Sequence, residues 1–201
     1  MDIKYEFVKT NGAWADVLDD ARSTVSKNSL HKEPTERFKK AMLLAEHSVI
    51  RDLIIRWKWI DIPSFVATHF SRHKFEKFIS TRRTDRTGID RTKLFQDEPV
   101  SFTGTANAQQ ILDMMRKRLC GQASKETRQY AFSLKNEIAK IEPELAHYCV
   151  PNCIYRCGCP EEKPCGLWEA FCKNSGFNPN MSINDRYDKF NEWINGGRKI
   201  E

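Results

Sequence analysis

Hydrophobic and polar residues alternate most clearly in the stretch LIIRWKWI, which runs from Leu53 to Ile60. Every second side chain of an extended chain shares one face, and here that face carries Leu53, Ile55, Trp57 and Trp59. β-Branched and aromatic residues are typical of strands, so this stretch is predicted to be a strand with one buried face. A shorter alternation of Ile3, Tyr5 and Phe7 ahead of Asn11-Gly12 predicts a second strand that ends in a turn.

Helical periodicity predicts most of the remaining ordered segments. We expect helices over Trp14–Ala21, Pro34–Ala45, Asn107–Leu119, Gln122–Ile141 and Asp185–Ile194, with a further helix that begins at Pro63. Ser182 is expected to start the last helix, and Gly196-Gly197 to stop it. Thr84–Thr105 is rich in Asp, Thr, Arg and Pro and is predicted to be a long loop, a class of segment that often forms a lid or a binding loop.

The segment from Pro63 to Thr84, PSFVATHFSRHKFEKFISTRRT, combines an apolar helix with a cluster of cations. Proline suits the first turn of a helix, and one side of this helix would carry Phe65, Val66, Ala67 and Phe70. The C-terminal end would then present Arg72, His73 and Lys74, followed by Ser80, Arg82 and Arg83. A guanidinium, an imidazole and an ammonium together suit an anionic ligand such as a phosphate. The alternative is a solvated charged face.

One stripe of the predicted helix Asn107–Leu119 has polar ends and an apolar middle. Spacings of four, three and four residues bring onto this stripe Asn107, Ile111, Met114 and Arg118. If the helix continues past Gly121, Gln122 and Glu126 extend the stripe. Such a surface would suit a cofactor with a polar heterocycle and an apolar ring, and the alternative is a core helix whose polar ends reach solvent.

The composition is that of a globular protein, since 40% of the 201 residues are hydrophobic and 30% are charged. The formal net charge of +6 favours anionic partners only weakly, because acidic residues are interspersed along the chain. No apolar run approaches the ~20 residues that a membrane helix needs, and the first residues lack the pattern of a secretion signal. We therefore expect a cytoplasmic protein with no membrane partner.

Seven cysteines without a secretion signal are more typical of reduced thiols or metal ligands than of a disulfide framework. Thiolates for one tetrahedral zinc could come from Cys149, Cys153, Cys157, Cys159 and Cys165, with His147 and Cys172 close in sequence. Their spacings are not those of paired CxxC knuckles. A structural zinc, buried reduced thiols and disulfides therefore all remain open.

A second metal-like pattern is formed by His69 and His73, which lie four residues apart on the helix predicted from Pro63. The sequence has no glutamate between them and suggests no third ligand nearby, so no metal site is predicted there. We expect one of these imidazoles to lie in the core and the other near the ligand.

At this point the ordered set of motifs resembles the flavin-dependent thymidylate synthases. PSFVATHFSRHK followed by Ser80-Thr81-Arg82 is similar to the signature of that family, Arg-His-Arg, seven residues, then Ser and an Arg a little beyond. His47 resembles the upstream histidine segment of the family. Asn107-Ala108 and Arg118 resemble its Asn-Ala-Arg helix, which ends in a catalytic arginine. The resemblance covers about residues 46–130, under half of the chain.

The sequence departs from the family pattern at four points. Lys74 stands in the place of the second arginine, so an ammonium, which acts as a point charge, replaces a planar guanidinium. Five residues rather than seven separate Lys74 from Ser80, so the connecting loop must be remodelled. Gln109 replaces the arginine of Asn-Ala-Arg, and Trp59 stands where some members have a strand histidine near the folate site.

The resemblance implies a fold and an activity. The fold is α/β (α+β), with a central antiparallel or mixed sheet and flanking helices, over residues 1–147. Residues 148–201 would add a cysteine-rich segment and a C-terminal helix that the resemblance does not explain. The reaction converts dUMP to dTMP with carbon from methylenetetrahydrofolate and hydride from FAD that NADPH has reduced, in a homotetramer with active sites shared between subunits. It needs no cysteine nucleophile, so Cys120 need not be catalytic.

Carried over by position, the family roles fall on nine residues. The dUMP phosphate and sugar would contact Arg72, Ser80 and Arg82, and His69 falls at a nucleotide-contacting position. FAD would contact His73, Lys74, Asn107 and Gln122. Arg118 would hold the uracil and stabilise negative charge as C5 becomes nucleophilic; with Ser80 it forms the expected catalytic pair.

Three other functions remain open at this stage. One is a related C5 modification of dUMP, such as hydroxymethylation, and another is a nucleotide or flavin binder without turnover. The third is a zinc-containing nucleic-acid-binding protein that uses the basic stretch Arg72–Arg91 on phosphates. Interspersed acids and the lack of aromatic residues among these charges make a nucleic-acid partner the less favoured of the three.

Overall fold

The computed structural model describes residues 3–196 and contains a four-stranded antiparallel sheet. The strands are β1 (Lys4–Asn11), β2 (Ile54–Pro63), β3 (Glu76–Ile79) and β4 (Pro99–Asn107), in the order β1-β2-β4-β3. Both strands predicted from alternation are present, and the predicted mixture of a central antiparallel sheet with flanking helices is confirmed. Gly197, predicted as part of a helix stop, and the rest of the C-terminal segment lie outside the described residues.

The two central strands bury a layer of aromatic rings on one face. Ile55, Trp57 and Trp59 are fully buried while the alternate residues of β2 are partly exposed, as the pattern predicts. Trp57 pairs in register with Gly104 of β4. A Cβ atom on Gly104 would lie 2.3–2.6 Å from the Trp57 indole, so the strand needs glycine at this point to admit the ring.

Helices cover the sheet and extend beyond it as far as Asn195. Their bounds are α1 Trp14–Ser23, α2 Glu36–Leu44, α3 Ser64–Ser71, α4 Thr84–Thr87, α5 Ala108–Arg118, α6 Lys125–Ala139, α7 Pro143–Tyr148, α8 Asn152–Arg156, α9 Leu167–Asn174 and α10 Ile183–Asn195. Short 3₁₀ turns occupy Ser48–Asp52 and Arg91–Lys93. Ser182 caps α10 as predicted, by accepting a hydrogen bond from the backbone N–H of Asp185.

The prediction of a loop over Thr84–Thr105 is wrong at both ends, because α4 occupies Thr84–Thr87 and β4 begins at Pro99. The inward positions of β4 are Val100, Phe102, Gly104 and Ala106, and two of these are too small to give a clear hydrophobic alternation. The short edge strand β3 was not predicted either. Its side chains are mostly exposed, so no buried face marked it in the sequence.

The helical segments on either side of Gly121 are two separate helices, so the central helix does not continue past this residue. The helix α5 ends at Arg118, and α6 begins at Lys125 after Ser124 caps it by accepting from the N–H of Thr127. Gln122 lies in the turn between the two helices and therefore does not extend the stripe of α5.

One buried core contains residues from both sides of the predicted boundary between residues 147 and 148. Phe171 and Phe190 of the C-terminal helices are fully buried, as are Cys149 and Ile154. The boundary itself stays a prediction. No helix within residues 3–196 has both the length and the apolar character needed to cross a membrane.

Candidate active site

Arg118, the last residue of α5, is bonded to the segment that ends α3. Its Nε donates to Nε2 of His73 at 2.7 Å, and its Nη2 donates to the backbone oxygen of His69 at 2.6 Å. These partners lie 45 and 49 residues away along the chain. The two segments that carry the predicted functional residues therefore meet at Arg118.

The sheet sets the positions of both segments. Pro63 ends β2 and caps the N-terminus of α3, rather than forming its first turn, and α3 buries Val66, Ala67 and Phe70 against the core. Phe65 is only partly buried, so the predicted apolar side of α3 is narrower than expected. Arg72 is the C-cap of the helix, which places Arg72, His73 and Lys74 together at its end.

Asn107 ends β4 and is the N-cap of α5, as Pro63 ends β2 and is the N-cap of α3. Its side chain accepts a hydrogen bond from the N–H of Gln110, and the Gln110 side chain accepts from the N–H of Asn107, which makes a capping box for α5. Ile111 and Met114, the apolar middle of the predicted stripe, are fully buried. They pack in the core and offer no surface to a ligand, which favours the alternative of a core helix with polar ends. Its two polar ends, Asn107 and Arg118, remain near the cations of α3.

A first pocket of about 390 Å³ opens beside α3. Its walls include Phe65, His69, Arg72, Arg82, Phe95 and Gln96. Nη2 of Arg82 donates to the backbone oxygen of Glu98 at 2.6 Å, which holds this guanidinium over the loop that leads to β4. The pocket thus combines two guanidinium groups with two aromatic rings.

A second pocket of about 500 Å³ lies on the other side of Arg72. Its walls include Arg51, Arg72, His73, Lys74, Asn107 and Gln109. Asp113, an acidic residue on the same wall, is bonded to Arg116 at 2.9 Å. Within residues 3–196, Arg51, Arg72 and Lys74 form no ion pair with a carboxylate, so their positive charge is available to an anion.

Both histidines at this junction are neutral near pH 7. Burial lowers the pKa of His73 to about 4, and the charges of Arg118 and Lys77 act in the same direction. Burial also lowers the pKa of His69, helped by Arg118 and Arg72. Because Arg118 donates to Nε2 of His73, the proton of this neutral ring is on Nδ1.

The structure brings together seven of the nine residues carried over from the resemblance, namely His69, Arg72, His73, Lys74, Arg82, Asn107 and Arg118. Ser80 follows β3 outside the two pockets, where its Oγ accepts from the N–H of Ser101 at 3.0 Å. Gln122 is exposed, and its Nε2 donates to the backbone oxygen of Lys163 in the cysteine-rich segment. These two residues therefore do not join the group in this chain.

Other residues at the junction gave no sequence signal of their own. Thr127 is fully buried in α6, and its Oγ1 lies 2.7 Å from Nδ1 of His69, a contact that spans 58 residues. Arg51 reaches the second pocket from the 3₁₀ turn after His47. His47 itself is exposed and lies outside both pockets. Contacts between positions this far apart in sequence have no local periodicity to reveal them.

All seven cysteines are free thiols in the structure. Cys120, Cys149 and Cys153 are buried, whereas Cys157 and Cys165 are exposed. Within residues 3–196, no three or more His, Cys, Asp or Glu side chains are already arranged to hold a metal ion.

No family model matches the chain, but two curated sequences match part of it. The flavin-dependent thymidylate synthase of Sulfurisphaera tokodaii is 32% identical over 71 residues, which is 35% of this chain and 28% of that protein. The flavin-dependent thymidylate synthase of Saccharolobus solfataricus is 38% identical over 50 residues, 25% of this chain and 19% of that protein. The matched segments thus span less than a third of either relative.

Solved structures extend the likeness to most of the fold. The UMP/dUMP methylase PolB from Streptomyces cacaoi, bound with 5-Br dUMP, superposes with a TM-score of 0.59 at 13% identity, over 73% of this chain and 94% of that chain. The flavin-dependent thymidylate synthase ThyX from Helicobacter pylori, complexed with FAD and dUMP, gives 0.58 at 11% identity, over 75% and 100%. The predicted resemblance is therefore confirmed in local sequence and in fold, and at these identities the structural likeness shows the fold alone.

Proposed function

We propose that this chain is a flavin-dependent enzyme that modifies C5 of dUMP, with methylation to dTMP as its reaction. The carbon would come from methylenetetrahydrofolate and the reducing equivalents from NADPH through FAD. The observation that carries the proposal is the junction at Arg118, where one guanidinium contacts His73 and the backbone of His69 between two pockets that share Arg72. The four named relatives, all enzymes of uridylate or thymidylate chemistry, support the same class of reaction.

The first pocket is the proposed site for the nucleotide. Arg72 and Arg82 can each present two parallel N–H groups to phosphate oxygens. The neutral ring of His69 would contact the nucleoside, and Phe65 and Phe95 supply apolar surface for it. Arg118 would then face the uracil and stabilise the negative charge that develops as C5 becomes nucleophilic.

Ser80 enters the proposal through its position just after the cation cluster. Because its Oγ accepts a hydrogen bond from the N–H of Ser101, its own hydroxyl proton is free to be donated to a phosphate oxygen. Contact with dUMP would require the loop between β3 and β4 to close towards Arg72. This role, like the catalytic role of Arg118, is part of the proposal.

The second pocket is the proposed site for FAD, and the residues present fit that group. The cations Arg51, Arg72 and Lys74 match its pyrophosphate, and the amides of Asn107 and Gln109 match the donors and acceptors of its heterocycle. His73 would contact the flavin as a neutral ring with its Nδ1 proton available. When bound, FAD supplies the hydride that completes the methyl group. Gln122 could contact FAD only if it leaves Lys163.

The remaining partners follow from the same proposal. FAD is large for a pocket of about 500 Å³, so a second protomer would contribute the rest of its site, as expected for a homotetramer with shared active sites. Folate would be the second substrate. We also place the protein in the cytoplasm. A structural zinc ion depends on the cysteines and not on these pockets, and is a separate proposal.

The test is a combination of a flavin spectrum and product analysis. Purified chain supplied with FAD should show the absorbance of bound flavin. With dUMP, methylenetetrahydrofolate and NADPH it should form dTMP. Arg118→Lys should keep bound flavin and lose about 10²–10³-fold in kcat, since one positioned donor to a developing anion is removed. The control Arg37→Lys changes the same kind of side chain on the exposed surface of α2.

Four outcomes would contradict the proposal in different ways. A chain that takes up no FAD would overturn the flavin assignment. Flavin binding without turnover would indicate a binder, and 5-hydroxymethyl-dUMP as the product would replace methylation by the related modification. Equal activity of Arg118→Lys and Arg37→Lys would remove Arg118 from the mechanism.

A further inference from the structure

Glu46 follows α2 in a backbone conformation that usually belongs to glycine. Its φ is 49°, its N–H donates to the backbone oxygen of Leu43, and the N–H of His47 donates to that of Met42. These two bonds form a Schellman motif, whose left-handed position is most often glycine because a side chain there is strained. A glutamate that keeps this strained position points to a role for its side chain.

The Glu46 carboxylate is bonded to α5 through both of its oxygens. One oxygen accepts from Nε2 of Gln109 at 2.6 Å, and the other accepts from Nη2 of Arg116. The Glu46 and Arg116 side chains are only 19% and 14% exposed. The guanidinium of Arg116 also lies 3.7 Å from the centre of the Tyr155 ring and is bonded to Asp113 at 2.9 Å. The carboxylate of Glu46 is therefore held in one position against α5.

These contacts fix the orientation of the Gln109 amide. Nε2 of Gln109 is bonded to Glu46 and lies 3.3 Å from Oδ1 of Asp113, so both hydrogens of the amide are used by carboxylate oxygens. The reverse orientation would set oxygen against oxygen, because a carboxylate can only accept. Within residues 3–196 no donor is bonded to Oε1 of Gln109, so this oxygen is the polar atom that the side chain offers to a ligand in the second pocket.

The neighbouring amides on the same wall are fixed in the opposite sense. Oδ1 of Asn107 and Oε1 of Gln110 each accept from a backbone N–H in the capping box of α5, which leaves their NH₂ groups as donors. The wall at the start of α5 thus offers two donors and, at Gln109, one acceptor. The complement of this set is a cyclic imide, O=C–NH–C=O, which has two acceptors and one donor. The isoalloxazine of FAD and the uracil of dUMP both carry this group.

We propose that Glu46 is a positioning residue that holds Gln109 as the acceptor for an imide N–H in the second pocket. The inference rests on the proposed function, which places FAD in this pocket, so the isoalloxazine is the expected source of the imide. Gln109 stands where the family resemblance has an arginine, a side chain with donors only. This chain therefore presents an acceptor where that family presents a donor. Glu46 would act only through the orientation of Gln109 and would not touch the ligand.

The experiment compares the equilibrium binding of FAD and 3-methyl-FAD to the full chain, freed of flavin. In 3-methyl-FAD a methyl group replaces the imide hydrogen. The wild-type chain should bind this analogue at least about tenfold more weakly than FAD, because the donor is lost and the Gln109 oxygen is left without a partner. Gln109→Leu has no acceptor and should reduce this ratio of dissociation constants at least about threefold.

Glu46→Gly tests the positioning role without strain on the fold, because glycine is the preferred residue at this left-handed position. The Gln109 amide can then turn either way, so the ratio should again fall at least about threefold. A purely structural role for Glu46 would weaken the binding of both flavins equally and leave the ratio unchanged. Ser26→Gly is the matched control, since Ser26 has φ 55°, is exposed and lies outside both pockets, and it should keep the wild-type ratio. Far-UV circular dichroism checks that each variant is folded.

A parallel titration with dUMP and 3-methyl-dUMP distinguishes the two sources of the imide. If Gln109→Leu and Glu46→Gly reduce the ratio for the nucleotides and not for the flavins, the acceptor role stands and the imide is that of uracil. A wild-type chain that binds FAD and dUMP but discriminates against neither methylated analogue would overturn this inference and leave the proposed function standing. A wild-type ratio in Glu46→Gly would overturn the positioning role. A chain that binds neither FAD nor dUMP would overturn the proposed function as well.

Discussion

Nδ1 of His69 lies 2.7 Å from Oγ1 of Thr127, which joins the candidate nucleotide pocket to the fully buried face of α6. Ser124 donates from its hydroxyl to the same Thr127 oxygen at 2.9 Å. The threonine proton is then free to be donated to Nδ1, which leaves the proton of the neutral imidazole on Nε2. The core helix thus fixes both the orientation and the tautomer of a pocket residue.

Replacement of Thr127 by valine should loosen this ring without changing the size of the side chain. We expect Thr127→Val to lower the free energy of unfolding by about 1–2 kcal/mol, because the Ser124 hydroxyl and the imidazole each lose a partner. The KM for dUMP should rise about tenfold with a smaller change in kcat, because the proposed role of the ring is to position the substrate only. Thr127→Ser keeps the hydroxyl and should restore KM; equal KM values for both variants would show that His69 does not need this bond.

The low pKa of His73 predicts a pH dependence of stability. The imidazole titrates near 6.5 in an unfolded chain and at about 4 in the fold, so the unfolded state binds more protons between these values. Stability from this group should therefore be present above about pH 6.5 and be lost as the pH falls towards 4. After allowance for solvent around a half-buried ring, we expect a loss of about 1–2 kcal/mol.

Urea unfolding between pH 4 and pH 7 measures this effect. His73→Gln has no titrating ring, and its side-chain oxygen can still accept from Arg118, so its stability should fall less steeply over the same range. His47→Gln, at an exposed position outside both pockets, is the control and should follow the wild-type curve. Parallel curves for His73→Gln and the wild-type chain would mean that His73 is not the group responsible.

The sequence predicted the parts of this fold that depend on local pattern. The strand around Trp57 and Trp59 alternates over eight residues, and the Pro63 helix is marked by its proline and its apolar side. In contrast, most of β4 fell in a segment predicted to be a loop from its Asp, Thr, Arg and Pro content, and its inward-facing Gly104 gives no hydrophobic signal because it must admit the Trp57 ring. The small size of this residue is a response to tertiary packing, which a local pattern does not contain.

The candidate site was predicted only in part, because local sequence patterns reveal only some of its residues. Arg72, His73 and Lys74 are adjacent in sequence, so their cluster is visible without a fold. Ser80 and Gln122 were assigned by correspondence with family motifs, and the shortened link before Ser80 and the helix break before Gln122 place both elsewhere. The places of Thr127 and Arg51 at the site depend on contacts between distant segments.

Lys135 is a buried cation whose removal should be costly. Its Nζ donates to the backbone oxygen of Cys149 at 2.7 Å and to Oδ1 of Asn191 at 2.6 Å, which joins α6 to the C-terminal helices. Burial lowers its pKa to about 8. Lys135→Met should lower the free energy of unfolding by about 2–3 kcal/mol because both acceptors lose their donor. Lys140→Met removes an exposed ion pair with Glu137 and should cost under about 0.5 kcal/mol; similar urea midpoints for the two variants would contradict this reasoning.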